Sequence, residues 1–244
     1  MVDSIELHTH VDALFTSDEH GDMTVINDWR KQGRAPDFYL GLTRSGMILK
    51  FHADLPRSFR HKLAEFASQE SAASWSSLQR PHFCQTYEDL LATSAPDKDL
   101  RVWFGPAYYF AGPVTGPLAA NIIKVGPENQ FMLNPYLADW LPDVAHEQPM
   151  MAWVEQGEAL GVCASVRCTE TAMAAGVEVT PHARRRGIGR EVVKAWAQAV
   201  QQLGKIALYS TSSDNEASKH LAASLGLPLL GTDFHLSLIQ GDSG

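Results

Sequence analysis

Cysteine is scarce in this chain: Cys84, Cys163 and Cys168 are the only three in 244 residues. Three cysteines so placed make no disulfide framework, and no CxxC pair exists to hold a metal. Cys163 and Cys168 lie in an apolar, strand-like segment and read as small core residues. Positive charge is also short, with 20 Lys and Arg against 28 Asp and Glu, a formal net charge of −8. That balance argues against a general nucleic-acid binder or an anionic-membrane binder. No apolar run is long enough to span a bilayer. The opening residues, Met1 to Glu6, show no basic region followed by an apolar run, so no signal peptide is expected. A reducing, cytoplasmic setting fits these absences, with no metal, nucleic-acid or membrane partner. Apolar residues are not lacking: at 45% they suffice for a true core, in one large domain or two small ones.

Against this acidic background one basic stretch stands out, Val177-Glu178-Val179-Thr180-Pro181-His182-Ala183-Arg184-Arg185-Arg186-Gly187-Ile188-Gly189-Arg190. Val177 and Val179 alternate with Glu178 and Thr180, which suits a strand. Pro181 cannot donate to a ladder and should end it. From Ile188 the apolar period changes: Ile188, Val192, Ala195, Ala199 and Leu203 fall at spacings of three and four, one face of a helix capped by Gly204. A strand feeding a glycine loop at a helix start is an anion-binding arrangement. Backbone N–H groups without intrahelical partners point outward there, and the helix dipole adds to them.

The chain before this stretch reads as alternating short elements. Residues 4–15 have helical spacing, with Ser4 as a cap. His8 and His10 read as surface or packing histidines, because alternate residues share a strand face rather than a helix face and no third ligand is near. Residues 23–29 suit a strand. Residues 37–43 and 47–52 suit a hairpin about Arg44-Ser45-Gly46. Pro56 opens a helix to about Gln69, 71–77 is a loop, and 87–92 is helical. Ala95-Pro96-Asp97-Lys98-Asp99 is the best boundary signal, dividing an N-terminal α+β domain at 1–97 from a domain at 98–244. The aromatic run Val102 to Phe110 either lines a substrate pocket or packs a junction between two halves. Residues 112–117 form a loop, and 121–125 a strand. Pro127 opens a helical patch through Phe131, Leu133, Leu137 and Trp140, ended by Pro142. Residues 150–155 and 159–167 form a hairpin, 171–180 a third strand, 205–211 another, and 215–225 a second helix. Residues 229–239 hold one or two last strands. The fold class is mixed α/β of the α+β type rather than a repeated βαβ array.

Two common glycine loops fit poorly. A nucleotide-hydrolase phosphate loop needs Gly-Lys-Ser/Thr, and Gly189 is followed by Arg190-Glu191. The dinucleotide pattern needs a third glycine where Val192 stands. Arg184-x-x-Gly187-x-Gly189, preceded by Val-x-Pro and followed by an amphipathic helix, resembles the acyl-CoA binding motif of the GNAT superfamily of N-acetyltransferases. Asn215-x-x-Ser218-x-x-Leu221-x-x-x-x-Gly226-Leu227 is similar to the family's second motif helix, and the strand Ala207 to Thr211 lies between the two. The resemblance covers roughly 100–244 and is specific at 171–227.

This resemblance implies a mostly antiparallel mixed sheet flanked by helices, behind a divergent N-terminal half that is either a degenerate second copy or a lid. It implies acetyl-CoA as co-substrate and no metal. The pyrophosphate would sit on the backbone of Arg185, Arg186, Gly187, Ile188 and Gly189, with Arg184 and Arg190 adding charge. The pantetheine arm would pair with strand backbone at Val177 and Val179. Asn215 would bond the pantetheine or the helix start. The activity implied is acetyl transfer to the primary amine of a small or amino-acid-like acceptor, by direct attack in a ternary complex. A CoA-binding sensor without turnover is the alternative, and a homodimer stays open. Glu178 is the general-base candidate; its other reading is an exposed strand glutamate paired with a basic neighbour. Where many family members carry an acid tyrosine, this chain has Ala222. Tyr209, Ser210, Ser212, Tyr108, Tyr109 or water are the substitutes.

Overall fold

The computed structural model describes residues 2–30, 32–44, 46–70 and 78–240. The loop expected at 71–77 and Ser45 of the expected hairpin turn lie outside these residues. The described chain is mixed α+β, with helices flanking mostly antiparallel strands. Contacts divide it into two compact units. The first takes Met1–Ala107, Thr211–Asn215 and Leu229–Gly244; the second takes Tyr108–Ser210 and Glu216–Pro228.

The first unit opens with α1 (Val2–Leu14), so Ser4 falls inside the helix rather than at its cap. A small sheet follows, β1 (Phe15–Ser17) with β2 (Met23–Ile26). The hairpin expected from the sequence is present as β3 (Phe38–Thr43) and β4 (Gly46–Phe51), paired in register from Phe38↔Phe51 to Thr43↔Gly46. Helices α2 (Arg57–Ala67) and α3 (Cys84–Ser94) follow, then β5 (Lys98–Tyr109). Pro56 stands at the N-cap of α2, where its missing N–H costs nothing.

The second unit contains β6 (Ile122–Lys124), β7 (Met151–Glu155), β8 (Glu158–Cys168), β9 (Ala172–Val179), α4 (Ile188–Gln202), β10 (Ile206–Ser210) and α5 (Glu216–Ser224). Its strands run in the order β10-β9-β8-β7-β6. The chain then returns to the first unit as β11 (Leu229–Gln240), one long strand where one or two were expected. There the order is β4-β3-β11-β5. Phe38, Leu40, Leu63, Tyr87, Phe234 and Leu236 are the centre of that unit's core.

Two further expectations change. The helical patch from Pro127 to Trp140 is two 3-10 turns, Gln130–Leu133 and Ala138–Asp143, with Pro142 inside the second. Pro135 stands between the two turns, where it removes a backbone donor and interrupts an α-helix, so the segment settles into tighter turns on either side of it. Leu203, assigned to the buried stripe of α4, is 59% exposed just past the helix end. Of the rest of that stripe, Ile188, Val192 and Ala195 are buried and Ala199 is half-buried. Trp196 is fully buried, and its indole N–H donates to Ser165 Oγ at 3.0 Å. Burying Ile188, Val192 and Trp196 contributes roughly 1.5–3 kcal/mol each, which fixes α4 on β8 and β9.

Candidate active site

The site begins where two neighbouring strands separate. β9 and β10 pair in parallel only at Ala172↔Ile206, Met173↔Ala207 and Ala174↔Leu208. On its other edge β9 stays paired with β8 through Val179↔Gly161. From Ala175 to Val179 the first edge of β9 therefore has no ladder partner among the described residues. Such an edge offers N–H and C=O groups to an extended, amide-bearing ligand. Val177 and Val179 stand on this length, and register puts them opposite Cys163 and Gly161 of β8. Gly161 faces α4: a Cβ there would lie 2.6 Å from Ile188 Cγ2. Val177 and Val179 thus share the α4 face, while Gly176 and Glu178 point to the opposite one.

After β9 the chain makes a 3-10 turn, Pro181–Ala183, and passes Arg184 to reach α4. Arg185 (φ 63°) and Gly187 (φ 81°) are both left-handed, and Gly187 is the N-cap of α4. That reversal turns the first N–H groups of α4 to the outside. A Cβ on Gly187 would meet nothing within 4 Å, so the loop leaves open space beside the helix start. The residues fit a phosphate-bearing ligand: a glycine cradle, a helix N-terminus and a strand edge adjoin one another. Ile188 contributes only its backbone, since its side chain is buried.

The arginines are exposed and differ in their present partners. Arg184 Nε donates to Val179 O at 3.3 Å. Arg186 pairs with Glu155 at 2.6 Å. The Trp153 indole N–H, and then Arg186, hold the Glu155 carboxyl below its ordinary value. Arg190 donates to Glu191 Oε1 at 3.0 Å and to Ser224 O at 3.3 Å. Arg190 thus ties the start of α4 to the end of α5.

On the opposite face, Glu178 Oε2 accepts a hydrogen bond from Trp140 Nε1 at 2.7 Å. The basic neighbour anticipated for Glu178 is therefore replaced by an uncharged indole donor. Trp140 belongs to the second 3-10 turn, and Tyr136 of the same segment packs edge-on against His182 at 4.8 Å. Beneath α5, Tyr209 of β10 brings its hydroxyl to 2.5 Å from Ser218 Oγ. Burial pushes the Tyr209 phenol up to about 12, with the Ser218 hydrogen bond opposing it, so it keeps its proton at neutral pH. Ala222 is fully buried one turn further along α5.

The acetyltransferase (GNAT) family model matches residues 120–227. This segment is a GNAT acetyltransferase domain. No curated protein matches the chain. Among solved structures, a GNAT-family protein from Novosphingobium aromaticivorans aligns at TM-score 0.50 and 16% identity, over 59% of this chain and 68% of that one. A GNAT acetyltransferase from Colwellia psychrerythraea aligns at TM-score 0.47 and 13% identity, over 96% of both chains. A Salmonella typhimurium protein, solved with acetyl-CoA as its cofactor, aligns at TM-score 0.32 and 20% identity, over 44% of this chain and 74% of its own. At 16% identity the first of these shows a common fold.

Within the GNAT domain, residues 177–190 come together as one continuous strand–loop–helix surface. Asn215 stands immediately before α5, its backbone N–H on Ser212 O at 3.2 Å, and by contacts it groups with the first unit. Two cavities in the GNAT domain, of about 230 and 470 Å³, include none of residues 177–190; the first is lined partly by Lys124, Met151 and Gln198, the second by Gly126 and Gln148. The candidate site is thus a parted strand edge and an open loop, not either hollow. Sequence reading missed Trp140 as a partner of Glu178 and Ser218 as a partner of Tyr209. Among the described residues no group of three His, Cys, Asp or Glu could hold a metal, and no helix is long and apolar enough to cross a membrane.

Proposed function

We propose that the chain is an acyl-CoA-dependent N-acetyltransferase that moves an acetyl group from acetyl-CoA to a primary amine of a small or amino-acid-like acceptor. The observation that carries this reading is the parting of β9 from β10 beside the Gly187–Gly189 helix start. An arm with amide groups can complete the edge of β9 at Val177 and Val179, while phosphates rest on the backbone from Arg185 to Gly189. Arg184 and Arg190 add positive charge, and Asn215 supports the start of α5. Acetyl-CoA binds as co-substrate and supplies the thioester.

The chain's own groups are arranged for direct attack. Glu178 takes a proton from the acceptor ammonium, directly or through water, which frees the nitrogen lone pair. A backbone N–H of β9 at Val177 to Val179 stabilises the developing oxyanion. When the C–S bond breaks, the electron pair goes to sulfur, and Tyr209 with Ser218 returns a proton to the leaving thiolate. The tyrosine expected at 222 is not needed if this pair serves, and a thiolate is a good enough leaving group to tolerate a weak acid. Holding both substrates together supplies much of the rate.

Buried Ala222 favours the second reading, a CoA-binding sensor with the same fold and no turnover. One paired experiment separates them. Acetyl-CoA should raise the melting temperature under either reading, by mass action. Release of free thiol over a panel of primary amines should occur only for the enzyme. Absence of any thermal shift would remove both.

A further inference from the structure

We propose that Trp140 is a positioning residue for proton removal: its indole N–H fixes one carboxylate oxygen of Glu178 and so presents the other to the acceptor amine. This rests on the assignment of Glu178 as the general base above. The arrangement is built from three places in the chain. Gly176 and Glu178 occupy the same face of β9, two residues apart. A Cβ at Gly176 would lie 3.2 Å from Trp140 Cη2 and would also press on the Val166 side chain. The bare backbone at 176 therefore makes room for the indole, and Trp140 Nε1 reaches Glu178 Oε2 at 2.7 Å.

Trp140 itself is anchored. It packs on a core patch that includes Leu133, Leu137, Val162 and Ala164. The turn that carries it is closed by the Trp140 N–H on Leu137 O at 3.0 Å. A glutamate on an exposed stretch of strand otherwise samples several rotamers. With Oε2 held, the plane of the carboxylate is set and Oε1 keeps its lone pairs for the acceptor. An indole donor suits this task better than Arg or Lys, because it orients the carboxylate without bringing a positive charge that would repel an incoming ammonium. Here the proton passes from the acceptor nitrogen to Oε1 and on to solvent, and no further reactant is required.

A double-mutant cycle tests the proposal, using the full chain with acetyl-CoA and the best amine from the thiol-release panel. Trp140→Phe keeps a ring over Gly176 and removes only the N–H donor. It should lower kcat about tenfold while the thermal shift with acetyl-CoA stays as in the unaltered chain. In a Glu178→Gln background the same substitution should cost nothing further, since there is no carboxylate left to orient. A purely structural tryptophan would give the same loss in both backgrounds, and that additivity overturns the proposal. So does an unchanged kcat in Trp140→Phe. Failure of the parent reading looks different: the unaltered chain releases no thiol with any amine, or Glu178→Gln turns over normally, and either result removes both.

Discussion

The Tyr209 hydroxyl lies 2.5 Å from Ser218 Oγ, one helical turn before Ala222 on α5. The pair therefore puts a protonated phenol on β10, beyond the point where β9 leaves it. If Tyr209 returns the proton to the leaving thiolate, Tyr209→Phe should lower kcat on the order of 10²-fold with acetyl-CoA affinity kept. Ser218→Ala should cost less, because it removes only the partner that orients the phenol. Steady-state thiol release with calorimetric titration of acetyl-CoA measures both quantities. A Tyr209→Phe variant with full kcat would leave Tyr209 a packing residue and point to water as the proton source.

Gly187 separates backbone shape from charge in the cofactor loop. Its left-handed conformation makes any side chain there strained by about 1–2 kcal/mol, yet the space beside it is open. Gly187→Ala should lower the melting temperature by a few degrees but still respond to acetyl-CoA. Gly187→Asp carries similar strain and adds a negative charge beside the helix start. It should give no thermal shift with acetyl-CoA at concentrations that saturate the alanine variant. Equal shifts in both variants would remove phosphate from this loop.

Local pattern made this loop legible. The 3.6-residue period from Ile188, the proline at 181 and two glycines each act through neighbours a few residues away, and α4 and β9 form where they direct. Features that depend on distant residues were not legible. Trp140 reaches Glu178 across 38 positions, and His10 reaches Asp233 across 223. No periodicity encodes such contacts, so the sequence offered Glu178 as a general-base candidate or a strand glutamate with a basic neighbour, without its indole partner, and His10 as a surface or packing histidine. The 3-10 turns were misread for a local reason: Phe131, Leu133 and Leu137 have helix-like spacing, but Pro135 stands among them and interrupts an α-helix. The parting of β9 from β10 was not legible in the strand pattern, because the ladder ends at Ala174 while the alternation of Val177 and Val179 runs on unbroken.

Gly161 links the sheet to the cofactor loop. A Cβ on it would come within 2.6 Å of Ile188 Cγ2, a branch atom close to the backbone of the first residue of α4. Gly161→Ala must therefore push the start of α4 outward or force Ile188 off its rotamer. A cost of about 1–3 kcal/mol in unfolding free energy is expected. If the N–H groups of that same turn cradle acetyl-CoA as proposed, its affinity should fall in parallel. Gly189→Ala is the control: its Cβ would sit 3.5 Å from Leu221 and Val179, an ordinary contact, so stability should hardly change. A Gly161→Ala variant that loses stability yet binds acetyl-CoA normally would show that the start of α4 is not part of the site.

In the first unit, His235 of β11 stacks on Trp103, with ring centroids 4.9 Å apart and planes 11° apart, and lies nearly parallel to Tyr39. Burial depresses its imidazole to about 4, against a smaller opposing pull from the Asp233 carboxylate. The folded chain therefore keeps His235 neutral down to about pH 4, whereas the unfolded chain protonates it near 6.5. Between those values the unfolded state binds the extra proton. The contribution of His235 to stability is full above pH 6.5 and declines as pH falls toward 4. A depression of this size corresponds to roughly 2–3 kcal/mol after allowance for the partly exposed ring. Asp233 is held below its ordinary value, as burial is outweighed by its hydrogen bonds with His10 and Tyr39, so its own loss falls at lower pH than this window. His235→Phe keeps an aromatic ring in the stack and removes the titration. Urea unfolding from pH 4 to 8 should therefore show a flatter profile for the variant between 4 and 6.5 and parallel curves above it. Parallel curves throughout would mean that His235 is protonated in the folded chain, and the stack with Trp103 would then hold a cation.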